Sequence, residues 1–394
     1  MTESTSSSQP RAQGSVSNPS VAPETAPKLI SRVTGTTPDD IESSALFSDF
    51  LGLSIAPLSQ PTHEGTKGLY LRRKDTGDIL LLTCRHVVFW DELPNKEYRH
   101  DGSKESWAII QPGEDTLRER KHSMEISIER ETSLVERLEK GSDLPKQMVN
   151  IDARLQSAKQ RIALCEQELR KLQELDDPTS RIIGHVVFSP PYSLGTSKMG
   201  ARHLRNWALI ELHQGKHETE LPCLRNRIFI GEVGTRPRLI SYYRINHAGE
   251  VGDTVAEEEL RDPKSATPPL DSPIVVMKQG AATNLTTGSV AEALSIVRRT
   301  HGNITFEFEE WCVLGDKEHW DGSGRRKMFS AAGDSGSCVF DWFGRVFGIS
   351  SGGGELGEDV PRNESGYFTP IEWLLDDIRA HGYDVELLPR GLDW

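Results

Sequence analysis

The sequence lacks several features that would assign it to a broad class of proteins. No apolar run approaches the roughly 20 residues that a helix needs to cross a bilayer, and the first residues have neither the basic nor the apolar stretch of a signal peptide. Basic residues are outnumbered by acidic ones, 46 to 59, for a net charge of −13. Because phosphate binding needs clustered Lys and Arg, this balance argues against a nucleic-acid or anionic-membrane partner.

The patterns of a metal or cofactor site are missing as well. The five cysteines are odd in number and irregularly spaced, without a C-x-x-C pair: Cys84, Cys165, Cys223, Cys312 and Cys338. No phosphate-binding glycine loop or dinucleotide motif is present. We therefore expect no metal and no cofactor. With no export signal, we also expect reduced thiols in an intracellular, cytoplasmic protein.

Most of the chain shows the pattern of short β-strands. Apolar runs at 69–71 and 79–82 flank a turn at 75–77, which predicts a hairpin. Similar short runs recur along the chain, separated by turns that contain Gly and Pro, and they predict an all-β sandwich or barrel. A final amphipathic helix is predicted at about 370–380.

One segment departs from this pattern. Apolar residues recur there at alternating steps of three and four: Met148, Ile151, Leu155, Ala158, Ile162, Cys165, Leu169 and Leu172. A weaker repeat lies upstream, with Glu131 in one seam position, and a helix stop lies between them at 141–145. The pattern predicts an antiparallel coiled-coil hairpin at about 123–176. It is either a self-packed insertion or an arm for self-association or a coiled-coil partner, since two helices alone bury little area.

A possible nucleophile lies in the Gly-Asp-Ser-Gly segment at 333–336. A serine hydroxyl is a weak nucleophile until a base accepts its proton. Glycines around Ser335 permit a tight turn, in which the N–H groups of Gly333 and Ser335 can stabilise an oxyanion. His86, at the end of an apolar strand far upstream, is the candidate base, and a structural histidine is the ordinary alternative.

These segments resemble the chymotrypsin-like (trypsin-fold) serine peptidase family. Residues 83–88, Thr-Cys-Arg-His-Val-Val, resemble the family's segment around the catalytic base, and 333–336 resemble its nucleophile motif. Residues 206–212 resemble the strand that carries the orienting aspartate. The resemblance implies a double β-barrel, and protein or peptide substrates. No Ile-Val-Gly-Gly segment is present, so the chain is closer to family members that need no activation cut.

The orienting position departs from the family, because it holds Asn206. An amide can hydrogen-bond to His86, but it can hold the wrong tautomer and cannot stabilise an imidazolium as a carboxylate does. Glu211, in the same strand, is a carboxylate that could replace it. Two functions stay open. One is a serine endopeptidase with an acyl-enzyme at Ser335, and the other is a catalytically impaired pseudopeptidase that acts as a protein-binding scaffold.

The substrate pocket can be placed only by the resemblance. Its floor falls at Phe329 and its wall at Ser350, Ser351 and Gly352. Because the floor position is not acidic, a preference for Arg or Lys is not expected. The resemblance instead implies an apolar or small substrate side chain.

These patterns divide the chain into five segments. Residues 1–40, rich in Ser, Pro, Thr and Gly, are predicted to be a disordered tail. The first barrel is predicted at 41–122 and 177–225, interrupted by the helical hairpin at 123–176. The second barrel, with the C-terminal helix, is predicted at 226–394.

Overall fold

The structure is a computed structural model, which describes residues 28–32, 44–103, 105–140, 151–229, 248–266, 269–271, 273–315, 328–353 and 365–391. The strands, in chain order, are β1 Ser54–Pro57, β2 Gly65–Thr66, β3 Leu69–Arg73, β4 Ile79–Thr83, β5 Tyr98–Arg99, β6 Ala108–Ile110, β7 Ile182–Ser189, β8 Leu194–Thr196, β9 Arg202–Leu204, β10 Ala208–Leu212, β11 Arg227–Phe229, β12 Ala248–Glu250, β13 Val275–Gly280, β14 Asn284–His301, β15 Ile304–Gly315, β16 Cys338–Phe340, β17 Val346–Gly353, β18 Ser365–Pro370 and β19 Val385–Leu387. The helices are α1 Arg85–Val88, α2 Glu114–Lys140, α3 Ile151–Gln173, α4 Glu257–Arg261 and α5 Ile371–Ala380.

The strands form two main sheets. The first has nine strands in the order β19-β3-β4-β10-β7-β6-β1-β2, with β5 paired to β7. The second is a closed barrel in the order β13-β14-β15-β18-β17-β16. The prediction of a mainly β chain built on a double barrel is confirmed. The predicted hairpin is also confirmed, since β3 and β4 pair antiparallel with Tyr70 opposite Leu81.

The two sheets share one hydrophobic core where they meet. Strand β4 reads Ile-Leu-Leu-Leu-Thr and is buried throughout. It lies between β3 and β10, and its four apolar side chains all belong to this core. Its core extends to Met277 and Phe340 of the second barrel and to Ile371 of α5. Burying each such side chain contributes about 1.5–3 kcal/mol. The second barrel has a separate core around Trp311 and Phe347.

Helices α2 and α3 form an antiparallel pair. Seam residues of α2 are buried at every seventh position: Leu117, Met124, Glu131 and Leu138. Glu131 tolerates burial because Arg161 of α3 lies 2.7 Å from its carboxylate. Helix α2, the first of the pair, begins at Glu114, earlier than the predicted start of the hairpin at residue 123. Acidic residues in the first turn favour a helix start even where apolar residues are sparse. The predicted turn at 141–145, like Met148, lies outside the described residues.

The structure departs from the predicted boundaries at both ends. Leu29 is buried and its N–H donates to the carbonyl of Lys216 at 2.7 Å, so 28–32 belong to the fold rather than to a disordered tail. Residues 1–27 and 33–43 lie outside the described residues. At the other end, β19 pairs with β3 and therefore belongs to the first sheet, not to the second barrel. Composition does not show such long-range pairing, so local patterns miss both features.

Candidate active site

The segment 333–336, called here the Ser335 turn, contains two glycines in the left-handed region. The φ angle is +97° at Gly333 and +95° at Gly336, which favours glycine. A Cβ on Gly336 would lie 2.3 Å from Thr83 Oγ1 and 2.4 Å from the Thr66 carbonyl oxygen, both in the first sheet. The turn therefore packs against the first sheet without room for a side chain.

Asp334 fixes this turn to the second barrel. Its carboxylate is fully buried, and Oδ2 lies 2.9 Å from Nζ of Lys278 in β13, which is fully buried too. Oδ1 accepts from the N–H groups of Ala282 and Thr283 at 3.0 Å each, and Oδ2 accepts from the N–H of Ala331 at 2.9 Å. Sequence reasoning missed Lys278. The available signal was a lysine that directly follows three apolar residues, Val275, Val276 and Met277.

His86 lies in α1, directly after β4, and Asn206 lies just before β10. Asn206 Oδ1 is 3.0 Å from His86 Nδ1 and 3.3 Å from the His86 backbone nitrogen. A backbone N–H can only donate, so it requires the amide oxygen, rather than the amide nitrogen, to face His86. Nδ1 then carries the proton that Oδ1 accepts. Nε2 is left as an acceptor, which is the tautomer that a general base requires.

The charge of His86 is set by its surroundings. Burial lowers the pKa of His86 to about 3, and the guanidinium of Arg299 and the His63 ring act in the same direction. The hydrogen bond to Asn206 and the carboxylate of Asp91 oppose this lowering of the pKa. The imidazole is therefore neutral at neutral pH, as a base must be, and its protonated form is poorly stabilised.

The structure does not bring Glu211 to His86. Glu211 is exposed on β10, where it lies opposite Leu80 and His185. The carboxylate that raises the pKa of His86 is instead Asp91, which is also paired with Arg299 at 3.0 Å. Sequence reasoning missed Asp91, although an acidic residue soon after the helix with the candidate base was visible.

The Ser335 turn and the α1 segment share backbone anchors. The carbonyl of Ser350 accepts from the Gly336 N–H at 2.8 Å and from the Cys84 thiol at 3.3 Å. The N–H of Thr66 donates to the carbonyl of Ser335 at 2.8 Å. The carbonyl of Thr66 accepts from the hydroxyl of Thr83, the last residue of β4, at 2.9 Å. The two segments therefore meet where the two sheets join.

In the Ser335 turn, N–H groups that donate hydrogen bonds within the protein alternate along the chain with N–H groups that do not. Those of Asp334 and Gly336 donate to the carbonyls of Ala331 and Ser350. Within the described part of the chain, the N–H groups of Gly333 and Ser335 donate to no other residue. Two such donors in one turn are what an oxyanion hole requires.

The predicted pocket residues are placed differently from one another. Phe329 is 1 % exposed and lies in the core of the second barrel, with its ring against Gly288 and Gly366. It packs the barrel rather than forming an exposed floor, because a fixed offset from Ser335 ignores how the intervening loop runs. Of the predicted wall, Ser350 is buried and Gly352 lies beside the Ser335 hydroxyl, to which a Cβ would be 3.8 Å away. Ser351, between them, is partly exposed.

Three further structural facts bear on the sequence analysis. The described residues contain no disulfide bond. In the same part of the chain, no group of three or more His, Cys, Asp or Glu side chains is arranged to hold a metal ion. None of the described helices has both the length and the apolar character that crossing a bilayer requires.

Comparison with known proteins finds likenesses among solved structures. No protein-family model matches the chain, and no curated protein matches it. One similar solved structure is that of a glutamic acid specific serine protease described as using a histidine triad in substrate binding. It shares 10 % identity over 86 % of this chain and 100 % of that one, with a TM-score of 0.38. Another is a Cellulomonas bogoriensis chymotrypsin, with 16 % identity over 53 % of this chain and 81 % of that one, and a TM-score of 0.28.

Proposed function

We propose that this chain is a chymotrypsin-like serine endopeptidase that cleaves proteins or peptides. The observation that carries the proposal is the double hydrogen bond from His86 to the Asn206 oxygen, which leaves Nε2 as an acceptor. His86 takes the proton of the Ser335 hydroxyl while that oxygen attacks the carbonyl carbon of the peptide bond. The proton then passes to the leaving amine, and water, deprotonated by His86, hydrolyses the acyl-enzyme.

The developing oxyanion would be bound by the N–H groups of Gly333 and Ser335. The buried pair of Lys278 and Asp334 supports this role, because it holds the turn in place within the intact chain. No activation cut is needed for that contact. We therefore propose that the chain is competent without such a cut.

The amide of Asn206 makes this a slow enzyme. It orients the ring, but it carries no charge to stabilise the imidazolium that forms when His86 accepts the proton. Burial lowers the pKa of His86 to about 3, and the hydrogen bond to Asn206 opposes this lowering without supplying a charge. In a well-studied triad, an asparagine that holds the wrong tautomer of the base lowers turnover about ten-thousand-fold. Asn206 holds the right tautomer, so only the missing charge slows this site, and we expect a smaller loss.

The substrate preference we propose is for a small or apolar side chain. The predicted wall supports this preference, because Ser350, Ser351 and Gly352 place no charged side chain beside the Ser335 hydroxyl. Use of the helical hairpin as a self-association or coiled-coil partner arm stays a prediction, as does the cytoplasmic location.

A fluorophosphonate probe tests the proposal, since it labels only an activated serine. We expect labelling of the unmodified protein, none in Ser335→Ala, and a rate about 10²- to 10⁴-fold lower in His86→Ala. Ser337→Ala is the matched control in the same loop. Its hydroxyl is buried and, among the described residues, has no hydrogen-bond partner, so labelling should be unchanged.

Two results would contradict the proposal. Labelling that survives in Ser335→Ala would place the reactive serine elsewhere. A cooperatively folded protein that is never labelled would mean that the chain is a pseudopeptidase scaffold.

A further inference from the structure

The loop 61–64 contacts both His86 and the helical hairpin. Nε2 of His63 lies 2.6 Å from the carbonyl oxygen of His86. A carbonyl only accepts, so His63 donates this hydrogen bond. Since Asn206 accepts from the N–H of His86, side chains hold both backbone polar groups of the proposed base.

The same loop caps the first helix of the hairpin. The carbonyl of Pro61 accepts from the N–H of Glu114 at 2.8 Å. Oε1 of Glu64 accepts from the N–H of Thr116 at 2.9 Å, and Oε2 accepts from the Thr116 hydroxyl at 2.5 Å. A carboxylate at a helix N-terminus also interacts favourably with the helix dipole. The start of α2 is thus fixed to the loop by three hydrogen bonds.

The loop and the start of α2 are in close contact. A Cβ on Gly113, the residue before α2, would lie 2.3 Å from Glu64 Oε1. His63 and Glu64 are neighbours in this short loop, and Glu64 Oε2 also accepts from the Ser54 hydroxyl of β1 at 2.8 Å. A displacement of α2 therefore pulls on Glu64 against this anchor, and through the loop on His63.

We propose that loop 61–64 transmits the position of the helical hairpin to His86, with His63 as a positioning residue for the base. This inference rests on the proposed function and adds a means of regulation to that site. Whatever shifts or steadies the hairpin changes how firmly α1 holds His86, through a helix cap and a single hydrogen bond.

The experiment compares three variants by amide hydrogen exchange of residues 86–89 and by fluorophosphonate labelling. His63→Phe keeps a ring but removes the donor, and we expect exchange about three- to tenfold faster and labelling slower by a similar factor. His63→Gln keeps a donor and should restore most of both. Thr116→Val, in the hairpin itself, should change both measurements in the same direction as His63→Phe.

The control is Thr76→Val, which removes a similar hydroxyl hydrogen bond, to Asp78, in the exposed turn between β3 and β4. It should leave both measurements unchanged. Unaltered amide exchange at 86–89 in a folded Thr116→Val protein would overturn the inference. So would a His63→Gln protein whose amides exchange as fast, and whose labelling is as slow, as in His63→Phe. Should His63→Phe not fold, the other two variants still decide.

Failure of the proposed function would look different. If the exchange results hold but not even the unmodified protein is labelled, the link from hairpin to α1 stands and the peptidase activity falls. If labelling occurs but amide exchange at 86–89 is unchanged in Thr116→Val, the proposed activity is supported and the proposed link from the hairpin to α1 is wrong.

Discussion

The two halves of the candidate site are held by different kinds of interaction. The Ser335 turn is fixed by a buried ion pair and by hydrogen bonds to a carboxylate. His86 is held by a neutral amide and by another imidazole. Charge-assisted hydrogen bonds are roughly twice as strong as neutral ones. The contrast indicates a preformed turn around the proposed nucleophile and weaker support for the proposed base. Stability should therefore respond most to changes at the Ser335 turn, and activity has more room to improve at His86.

The largest effect should come from breaking the ion pair. Lys278→Met leaves the Asp334 carboxylate buried without its cation, and we expect a loss of about 3–5 kcal/mol in the free energy of unfolding, with loss of labelling. Urea unfolding measures the first effect. The control, Arg298→Ala, breaks the exposed pair with Glu307 and should shift the melting temperature by less than about 1 °C.

A double variant sharpens this prediction. Lys278→Met combined with Asp334→Asn removes the buried charge as well, so it should be more stable than Lys278→Met alone. If Lys278→Met instead behaves like Arg298→Ala, the ion pair does not hold the Ser335 turn, and the contrast between the two halves is wrong.

A smaller effect, of opposite sign for activity, is expected at the base. Asn206→Asp places a carboxylate against the Nδ1–H of His86, which should raise labelling and peptide cleavage about ten- to a thousandfold. It should also raise the pKa of His86 from its present value of about 3, and so move the acid limb of the rate–pH profile toward neutrality. The gain must vanish in a Ser335→Ala background. An unchanged rate would show that Asn206 does not limit the base.

The smallest effect concerns the pH dependence of stability. Glu310 of β15 is 1 % exposed, Oε1 accepts from the Thr369 hydroxyl at 2.9 Å, and burial raises its pKa to about 8. The folded state keeps this proton up to about pH 8, whereas the unfolded chain loses it near pH 4.5. This contribution to stability is therefore complete below about pH 4.5 and is lost as the pH rises through about 8.

Glu310→Gln removes that dependence. We expect the variant to gain about 1–3 kcal/mol over the unmodified protein as the pH is raised from 5 to 8, measured by urea unfolding. His86 in α1 makes a contribution of the opposite sign. Its lowered pKa makes its contribution fade as the pH falls from about 6.5 toward 3. If the free energy of unfolding changes equally between pH 5 and pH 8 in the variant and in the unmodified protein, the assignment to Glu310 is wrong.

The parts of the fold that follow from neighbouring residues were predictable. The hairpin of β3 and β4 follows from two apolar runs around a turn. The predicted helix at 370–380 agrees with α5, Ile371–Ala380, because its apolar spacing is a local signal. Boundaries set by distant pairing were not predictable. Leu29 is placed by contacts near residue 217, and no composition window contains both.

The same division applies to the site. Motifs identify Ser335 and His86 as candidates, but the tautomer of His86 depends on where one backbone N–H points, which no spacing shows. Lys278 and Asp334 are 56 residues apart and meet only in the closed barrel. His63 acts on a carbonyl group, which every residue has. Such a role leaves no signature in the sequence.

The pairing of β19 with β3 has a consequence for the synthesis of the protein on the ribosome. Leu71 lies opposite Leu387, so one edge of the first sheet is completed by residues made more than 300 positions later. At about 5–20 residues per second, the ribosome leaves that edge open for roughly 15–60 s. An open strand edge is the template on which neighbouring chains aggregate. Each nascent chain must therefore be kept from its neighbours until β19 emerges.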